Sequence, residues 1–350
     1  FIISGLAGTL GIISFIGAVA MVNIWVERRV VGRMQSRLGP NRLGPFGLMQ
    51  PMADAIKLMQ KEVLQPASAP GFIYTVAPIA FTVPGIAVFA VIPWGRHMVL
   101  ANLDVGLLYI LGMSSLAVLS VFMAGYSSNN KYSLFGAMRV IAMLVSYEIP
   151  IVAGLLGVVL FAGTMDLQRI VLFQEDNWAF MVMLQPLAFL IYFFAISAEL
   201  NRTPADIAEA ESEIVGGYHT EYSGMKLLLF LIAEYLHMLT AAFLMVVLFL
   251  GGWHFWGMDV TADTLGWAGA LVRVAVLALK VGLMIVFFMM VRWSWPRFRF
   301  DQLMSLAWKV MLPLGLVNLV AVACVTEYEH QRALEGVSTS VWLAVGVGWA

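Results

Sequence analysis

An acidic stretch between two apolar runs, AELNRTPADIAEAESEIVGGYHTEYSG at 198–224, carries the most distinctive chemistry in this sequence. Only Arg202 and His219 within it could offset its charge. The chain is 61% hydrophobic and 12% charged, so six of its 21 acidic residues in one connection is a strong concentration. Between membrane spans, such a cluster indicates carboxylates held at the bilayer edge, where protons can be passed on. These residues are Glu199, Asp206, Glu209, Glu211, Glu213 and Glu221.

The local pattern predicts a helix inside this stretch. Thr203 is a plausible cap, Pro204 suits the first turn, and Asp206 can reach back to the cap. Glu209 and Glu213 are four residues apart and would share a face, where like charges and partial burial raise carboxylate pKa values. The alternative is a solvated acidic loop with a capped helix.

Three carboxylates in or at the ends of apolar runs are sharper candidates. Glu148 lies in the fourth run, Glu199 closes the fifth, and Glu234 lies in the sixth with His237 on the same face. A charge at the bilayer centre costs about 2.5–3.5 kcal/mol on insertion scales, so such residues usually face a polar interior and mark ion pathways. An ion pair of Glu234 with Lys280 is the competing explanation.

The apolar runs predict the fold. The mean hydropathy is +0.88, and several runs exceed 18 residues without a charge, enough to cross a bilayer. We therefore expect an all-α polytopic membrane protein that forms one domain over 1–350. A short apolar tail, 337–350, is either an interfacial piece or the start of a ninth span. The eight predicted spans are 2–26, 72–93, 105–125, 138–163, 178–198, 225–250, 271–292 and 307–326.

The distribution of lysine and arginine predicts the orientation. Most of these residues fall in or beside the loops 27–70, 199–224 and 292–306. Because basic loops stay inside, these three loops are expected on the cytoplasmic or matrix face, with both chain ends opposite. The loop 292–306 also has aromatic residues, which suits contact with lipid headgroups or a soluble partner.

The first loop is too polar to span and too patterned for a linker. Gly39-Pro40 and Gly44-Pro45 predict turns that hold Arg37 and Arg42 in place. The segment that follows has the helical pattern of an amphipathic helix lying in the membrane interface. It is either a basic anchor against acidic lipid or the wall of an apolar cavity. Its apolar positions are Leu48, Met49, Met52, Ile56 and Met59.

Redox cofactors are not expected in this chain. Its one cysteine, Cys324, rules out an iron–sulfur ligand set, and the five scattered histidines do not suggest a metal site or a pair of haem ligands. Electrons must therefore come from elsewhere, and the isolated chain is not expected to catalyse a redox reaction. No feature predicts binding to nucleic acid.

Four ordered blocks resemble one family. RLGPNRLGPFGLMQPMADAIK, SYE at 146–148, the stretch 198–224 and RWSWPRFRFDQLM at 292–304 are together similar to the quinone-site (NuoH-type) membrane subunit of respiratory complex I. The resemblance implies a subunit of the proton-pumping NADH:quinone oxidoreductase in a bacterial plasma membrane or a mitochondrial inner membrane. It implies quinone as the bound substrate, with no covalent or metal cofactor. The expected partners are soluble iron–sulfur and quinone-site subunits, small and antiporter-like membrane subunits, and lipid.

The resemblance also implies roles for particular residues. Ala205 and Ala208 depart from the aromatic residue and the proline that are common in the family, which predicts a different shape for this loop. Quinone-tunnel residues would be Arg28, Arg37, Arg42, Phe46 and Asp54. The proton path would comprise Glu148, Glu199, Asp206, Glu209, Glu211, Glu213, Glu221 and Glu234.

Three rival functions remain open. A related anchor of a membrane-bound hydrogenase or formate complex would handle protons without quinone. A free-standing ion-coupled transporter usually shows inverted repeats and paired broken helices, and the sequence shows neither. A purely structural anchor would tolerate replacement of its intramembrane glutamates.

Overall fold

The computed structural model describes residues 2–96, 98–206, 216–255 and 266–334. Within these ranges the chain is helical, with no strand beyond an isolated bridge between Gly95 and Met98. The helices, in chain order, are α1 (Ile2–Met34), α2 (Gln50–Gln60), α3 (Gly71–Ala87), α4 (Gly106–Ser127), α5 (Lys131–Ala162), α6 (Leu167–Asp176), α7 (Met181–Leu184), α8 (Pro186–Glu199), α9 (Gly224–Phe249), α10 (Trp267–Ser294), α11 (Phe300–Leu306) and α12 (Leu312–Leu334).

Six helical stretches in the described ranges are long and apolar enough to cross a membrane. The prediction of an all-helical, multi-pass membrane protein is confirmed. Helices α1 and α8 occupy the other two predicted spans, and the total of eight stays a prediction. The six stretches are Gly71–Ala90, Gly106–Ser127, Lys131–Ala162, Gly224–Phe249, Trp267–Ser294 and Phe300–Tyr328.

The fifth predicted span, 178–198, is not one helix. It is divided into α7 and α8 at Gln185, whose backbone is non-helical (φ −136°, ψ 67°). Pro186 has no amide hydrogen to continue the α7 ladder, and its fixed φ suits the first position of a new helix. With 14 residues, α8 is about 21 Å long, which is shorter than a hydrocarbon core.

Other boundaries differ from the sequence prediction because of local caps. Helix α5 begins at Lys131, where Asn130 Oδ1 accepts a hydrogen bond from Tyr132 N (3.0 Å). The unpredicted α6 is capped in the same way by Asp166. The last helical stretch begins in the predicted loop 292–306, and a π turn over Ala307–Met311 joins α11 to α12.

A helix is present where the first loop predicted one. Helix α2 begins just after the turn at Pro45–Gly47 and packs against α1 and α9. Its apolar residues Met52, Ile56 and Met59 are about half exposed, so one apolar face lies on the outside of the chain. The position of α2 at the membrane surface stays a prediction.

Helix α9 forms the centre of the bundle. Every residue from 238 to 249 is buried, as expected of a helix that is apolar on all sides. It contacts α1, α2, α3 and α10, whereas α5 packs against α4, α8 and α12. The helices that carry Glu148, Glu199 and Glu234 therefore surround a common interior.

Candidate functional site

One cavity is shared by the three carboxylates in or at the apolar runs. Glu148 of α5, Glu199 at the end of α8 and Glu234 of α9 all line it, and α3 and α4 supply the rest of the wall. The cavity volume is about 60 Å³. Since one water molecule needs roughly 10–15 Å³, the cavity has room for about four.

Glu148 and Glu199 are close enough for their charges to interact, and Ser114 of α4 lies in the same cavity wall. Both side chains are only partly buried because they face the cavity. Neighbouring carboxyl groups of this kind are suited to hold a proton and pass it on.

Three other polar atoms in the cavity wall are Tyr192 Oη, His237 Nε2 and Thr240 Oγ1. All three are buried and have no hydrogen-bond partner among the described residues. Buried polar groups are nearly always bonded to protein or to water. Because the cavity has room for water, ordered water is their expected partner, and it would connect the carboxylates.

The acidic connection reaches this cavity through Tyr218. Tyr218 Oη donates a hydrogen bond to Glu234 Oε1 (3.4 Å), and the Tyr218 carbonyl accepts one from Ser133 Oγ of α5 (3.1 Å). The backbone at Gly217 and Tyr218 can approach α5 so closely because residue 136 is glycine. A Cβ at Gly136 would lie 2.8 Å from the Cα of Gly217.

Two adjoining crevices lie beside the end of α1. Their volumes are about 520 and 560 Å³, within the range usual for ligand sites. Arg37 lines the first, Arg42 lines the second, and Arg28 lines both. The structure therefore places three of the sequence-predicted arginines around one region of the surface.

The other two predicted tunnel residues, Phe46 and Asp54, lie near these arginines but do not line the crevices. Asp54 forms an ion pair with Arg28. Phe46 is 71% exposed, and its carbonyl accepts hydrogen bonds from Trp25 Nε1 (3.1 Å) and the Arg29 guanidinium (2.8 Å). Neither side chain is part of the crevice walls.

A buried ionic cluster in the wall of the first crevice was not predicted from the sequence. The Glu27 carboxylate pairs with Arg292 (2.7 Å) and Arg202 (3.4 Å), and Tyr235 Oη donates to it (2.8 Å). Glu27 is the only acidic residue before Asp54 and lies among arginines, a signal that could have identified it.

The cluster forms part of the crevice wall, through Glu27, Tyr235 and Arg292, and adjoins the cavity. Tyr235 lines the crevice, and Glu234, the preceding residue on α9, lines the cavity. Burial acts to lower the pKa of Arg202, but the charges of Glu27 and Glu234 outweigh it, so this pKa is raised. Arg202 therefore stays protonated beside both carboxylates.

The prediction of a helix that starts at Thr203 is wrong for the described residues. Residues 203–206 form turns, because the Pro204 carbonyl accepts a hydrogen bond from Phe298 N (3.0 Å) and Asp206 pairs with Arg297 (2.7 Å). The loop 292–306 thus binds the Pro204 carbonyl and the Asp206 carboxylate, two groups that a helix start would have used within the helix. Predicted sites outside the described residues are Glu209, Glu211 and Glu213.

The charged side chains Arg202 and Asp206 of the acidic connection pair with residues that are far away in the sequence. Arg202 pairs with Glu27 of α1, and the cation beside Asp206 is Arg297. Burial lowers the pKa of His219, and the Asp206 carboxylate offsets part of that shift. His219 is therefore a weaker base than the sequence suggests.

Glu221, at the other end of the connection, is held by structural contacts. Its Oε1 accepts a hydrogen bond from Asn130 Nδ2 (2.7 Å), and its carbonyl accepts one from Tyr74 Oη (2.7 Å). Tyr74 also stacks on Tyr222 with ring centroids 4.3 Å apart. These contacts keep Glu221 outside the wall of the carboxylate cavity.

Comparison with known proteins identifies the family. A family model described as NADH dehydrogenase matches residues 7–323. This chain belongs to the NADH dehydrogenase family. The resemblance inferred from the sequence motifs is thereby confirmed.

Its relatives are similar over nearly their whole length, and each is named as the same subunit of NADH-quinone oxidoreductase. The Dehalococcoides mccartyi (strain CBDB1) protein is 46% identical, with 95% of this chain and 88% of the relative covered. The Geobacillus kaustophilus (strain HTA426) protein is 47% identical, covering 86% and 88%. The protein from Protochlamydia amoebophila (strain UWE25) is 43% identical, covering 86% and 91%.

In this NADH dehydrogenase family member, Lys280 does not form the ion pair with Glu234 that was the competing explanation. Its ammonium group donates hydrogen bonds to the Leu250 and His254 carbonyls at the end of α9. Leu250 is 16 residues beyond Glu234, about 24 Å along a helix. Lys280 therefore caps α9 and is too far from Glu234 to pair with it.

The described part of the chain contains no group of three or more histidine, cysteine, aspartate or glutamate residues that could hold a metal ion. The described residues of this family member offer carboxyl, phenol, imidazole and guanidinium groups for chemistry.

Proposed function

We propose that this chain is the membrane subunit of a complex I-type NADH:quinone oxidoreductase that links quinone reduction to proton translocation. The single observation that carries the proposal is the cavity shared by Glu148, Glu199 and Glu234, because Tyr235, the residue after Glu234 on α9, lines an arginine-lined crevice. The relatives named as subunits of NADH-quinone oxidoreductase support the assignment to that complex.

The crevice walls suit a quinone as substrate. Quinone carbonyls accept hydrogen bonds, which Arg28, Arg37 and Arg42 can donate. The ring and the isoprenoid tail are apolar, and Leu38 and Trp293 provide apolar surface in the first crevice. We propose that quinone enters sideways, between α2 and the helices α1 and α9, and that soluble iron–sulfur partners supply its electrons.

Reduction of quinone to quinol takes up one proton for each electron. We propose that the charge on the reduced headgroup changes the protonation of the acidic connection, and that the proton demand then passes to the carboxylate cavity. The carboxylates of the acidic connection that respond first are Asp206, Glu209, Glu211, Glu213 and Glu221. The next are Glu199, Glu148 and Glu234, where ordered water would link the side chains.

The proposed arrangement in the membrane has eight spans, with α1 and α8 completing the six apolar stretches. The loops 27–70, 199–224 and 292–306 lie on the cytoplasmic or matrix face, as the positive-inside rule requires. That face would meet the soluble quinone-site subunits. Antiporter-like and small membrane subunits would continue the proton path within the bacterial plasma membrane or the mitochondrial inner membrane.

The test is proton translocation per electron by the intact complex in vesicles. Glu148→Gln should lower this ratio while uncoupled quinone reduction and assembly persist, because the amide fills the same space but cannot carry a proton. Glu327→Gln, at an exposed carboxylate of α12, is the matched control. An unchanged ratio in Glu148→Gln would refute the proton pathway.

A second measurement separates the quinone function from that of a hydrogenase-type anchor. A photoreactive quinone analogue should label residues 37–60 of the assembled complex, and excess quinone should prevent the labelling. Labelling elsewhere, or none that quinone competes with, would exclude quinone binding at these crevices.

A further inference from the structure

The break between α7 and α8 places a second polar site in the bundle, away from the carboxylate cavity. Gln185 at the break is 3% exposed, and Asn318 of α12 is 8% exposed. Gln185 Oε1 and Asn318 Nδ2 are both buried without a hydrogen-bond partner among the described residues. Polar groups this deep in a membrane helix bundle need a partner.

Gly157 of α5 separates the two amides. A Cβ built on it would lie 2.9 Å from Gln185 Oε1 and 3.2 Å from Asn318 Nδ2. The two atoms are therefore no more than about 6 Å apart, a separation that one water molecule can bridge. Because residue 157 has no side chain, the two amides can approach each other across the backbone of α5.

The chemistry of the two amides is complementary toward that space. Gln185 Nε2 donates to the Gly157 carbonyl (3.0 Å), which can only accept, and this fixes the orientation of the amide. Gln185 therefore presents an acceptor and Asn318 a donor. A water molecule between them would accept from Asn318 and donate to Gln185.

This site lies in line with the carboxylate cavity. Gln185 caps the start of α8. Tyr192 and Glu199 follow at intervals of seven residues, which places Tyr192 and Glu199 on one side of α8, about 10.5 Å apart. Tyr192 and Glu199 line the cavity, and Tyr192 Oη also has no hydrogen-bond partner among the described residues.

The second site is nearer the opposite end of the bundle. On α5, Gly154 faces Tyr192, and Gly157, one turn farther, faces Gln185. From Gly157 to the end of α5 at Ala162 is about 7.5 Å, whereas Glu148 is about 13.5 Å away in the other direction. Polar side chains thus extend from Glu199 to a point within two helical turns of the end of α5 at Ala162.

We propose that Gln185, Asn318 and Tyr192 hold ordered water that extends the proton path of the carboxylate cavity toward the membrane face opposite the acidic connection. This inference rests on the proposed function, since it gives the hydrated cavity a second outlet. The amides do not titrate; they orient the water through which the proton moves.

The unaltered complex provides the first test. A high-resolution cryo-EM map should show a water molecule between Gln185 Oε1 and Asn318 Nδ2. A direct amide–amide hydrogen bond without water would overturn the proposal. This measurement needs no variant and so does not depend on the folding of one.

The second test uses two glycines of the same helix. Gly157→Ala should lower proton translocation per electron while uncoupled quinone reduction is kept, because its methyl group would press against both amides and displace them. Gly154→Ala is the matched control, since its Cβ would meet α8 atoms at 3.4–3.7 Å, ordinary contact distances. Asn318→Leu should behave like Gly157→Ala.

The outcomes distinguish this inference from the proposed function. If Glu148→Gln lowers the ratio but Gly157→Ala and Asn318→Leu leave it unchanged, the second outlet is refuted and the carboxylate cavity keeps its role. If Glu148→Gln also leaves the ratio unchanged, the proposed function fails together with this inference.

Discussion

Arg202 and Glu27 form a buried ion pair across 3.4 Å although 175 positions separate them in the chain. The pair joins the start of the acidic connection to the last turns of α1. Arg292 and Tyr235 complete the set of groups around the Glu27 carboxylate. One carboxylate therefore holds four separate parts of the chain together beside the proposed quinone crevice.

Removal of the Glu27 charge should destabilise this junction. Glu27→Gln leaves the buried Arg202 without its closest countercharge, a type of change that costs about 3–5 kcal/mol. We expect a lower melting temperature of the purified complex and loss of quinone reduction. Glu62→Gln, at an exposed position, is the control. Equal melting temperatures for the two variants would contradict the structural role of Glu27.

The ion pair of Asp206 and Arg297 should couple two loops. Asp206 is 7% exposed and Arg297 is 43% exposed, so a double-mutant cycle should give a coupling of about 1–2 kcal/mol. The single changes should be unequal. Arg297→Met should cost more than Asp206→Asn because it leaves a buried carboxylate without a cation. Additive single effects would show that the pair contributes nothing.

Arg28 should contribute to binding the substrate, because it lines both crevices. Loss of a hydrogen bond from a charged donor costs about 1.5–3 kcal/mol, so Arg28→Met should raise the KM for a short-chain quinone roughly tenfold or more. Arg33→Met, at an exposed position on the same helix, should leave the KM unchanged. A normal KM in Arg28→Met would remove Arg28 from the quinone site.

His219 should make the stability of the complex sensitive to pH. Its folded-state pKa is lowered by burial, so the unfolded chain binds a proton first as the pH falls. Stability from neutral His219 is therefore present above its unfolded pKa of about 6.5 and is lost below it.

The measurement is thermal inactivation of the complex at about pH 7.5 and about pH 5.5, which lie on either side of the pKa of a free imidazole. His219→Asn should reduce the loss of stability on acidification. Asp206→Asn should increase it, because Asp206 offsets part of the pKa shift. An identical pH profile for His219→Asn and the parent would refute this role.

Several features followed from the sequence alone. Uninterrupted apolar runs have no folded alternative to membrane helices, since every backbone polar group must be satisfied within the bilayer. The cost of burying charge identified Glu148, Glu199 and Glu234 as unusual before any contact was known. The four motif blocks identified the family because they are long and ordered.

The tertiary structure decided which groups meet. From the sequence, an ion pair of Lys280 with Glu234 was a competing explanation, and Arg202 was a candidate to offset the charge of its own acidic stretch. Spacing along the chain says little about such long-range partners. The fold instead places Lys280 at the end of α9 and Arg202 against Glu27. Ion pairs and shared cavities depend on how helices pack, and helix packing depends on side chains from the whole chain. The apolar pattern determined the helices, and their packing alone brought three distant carboxylates to one cavity.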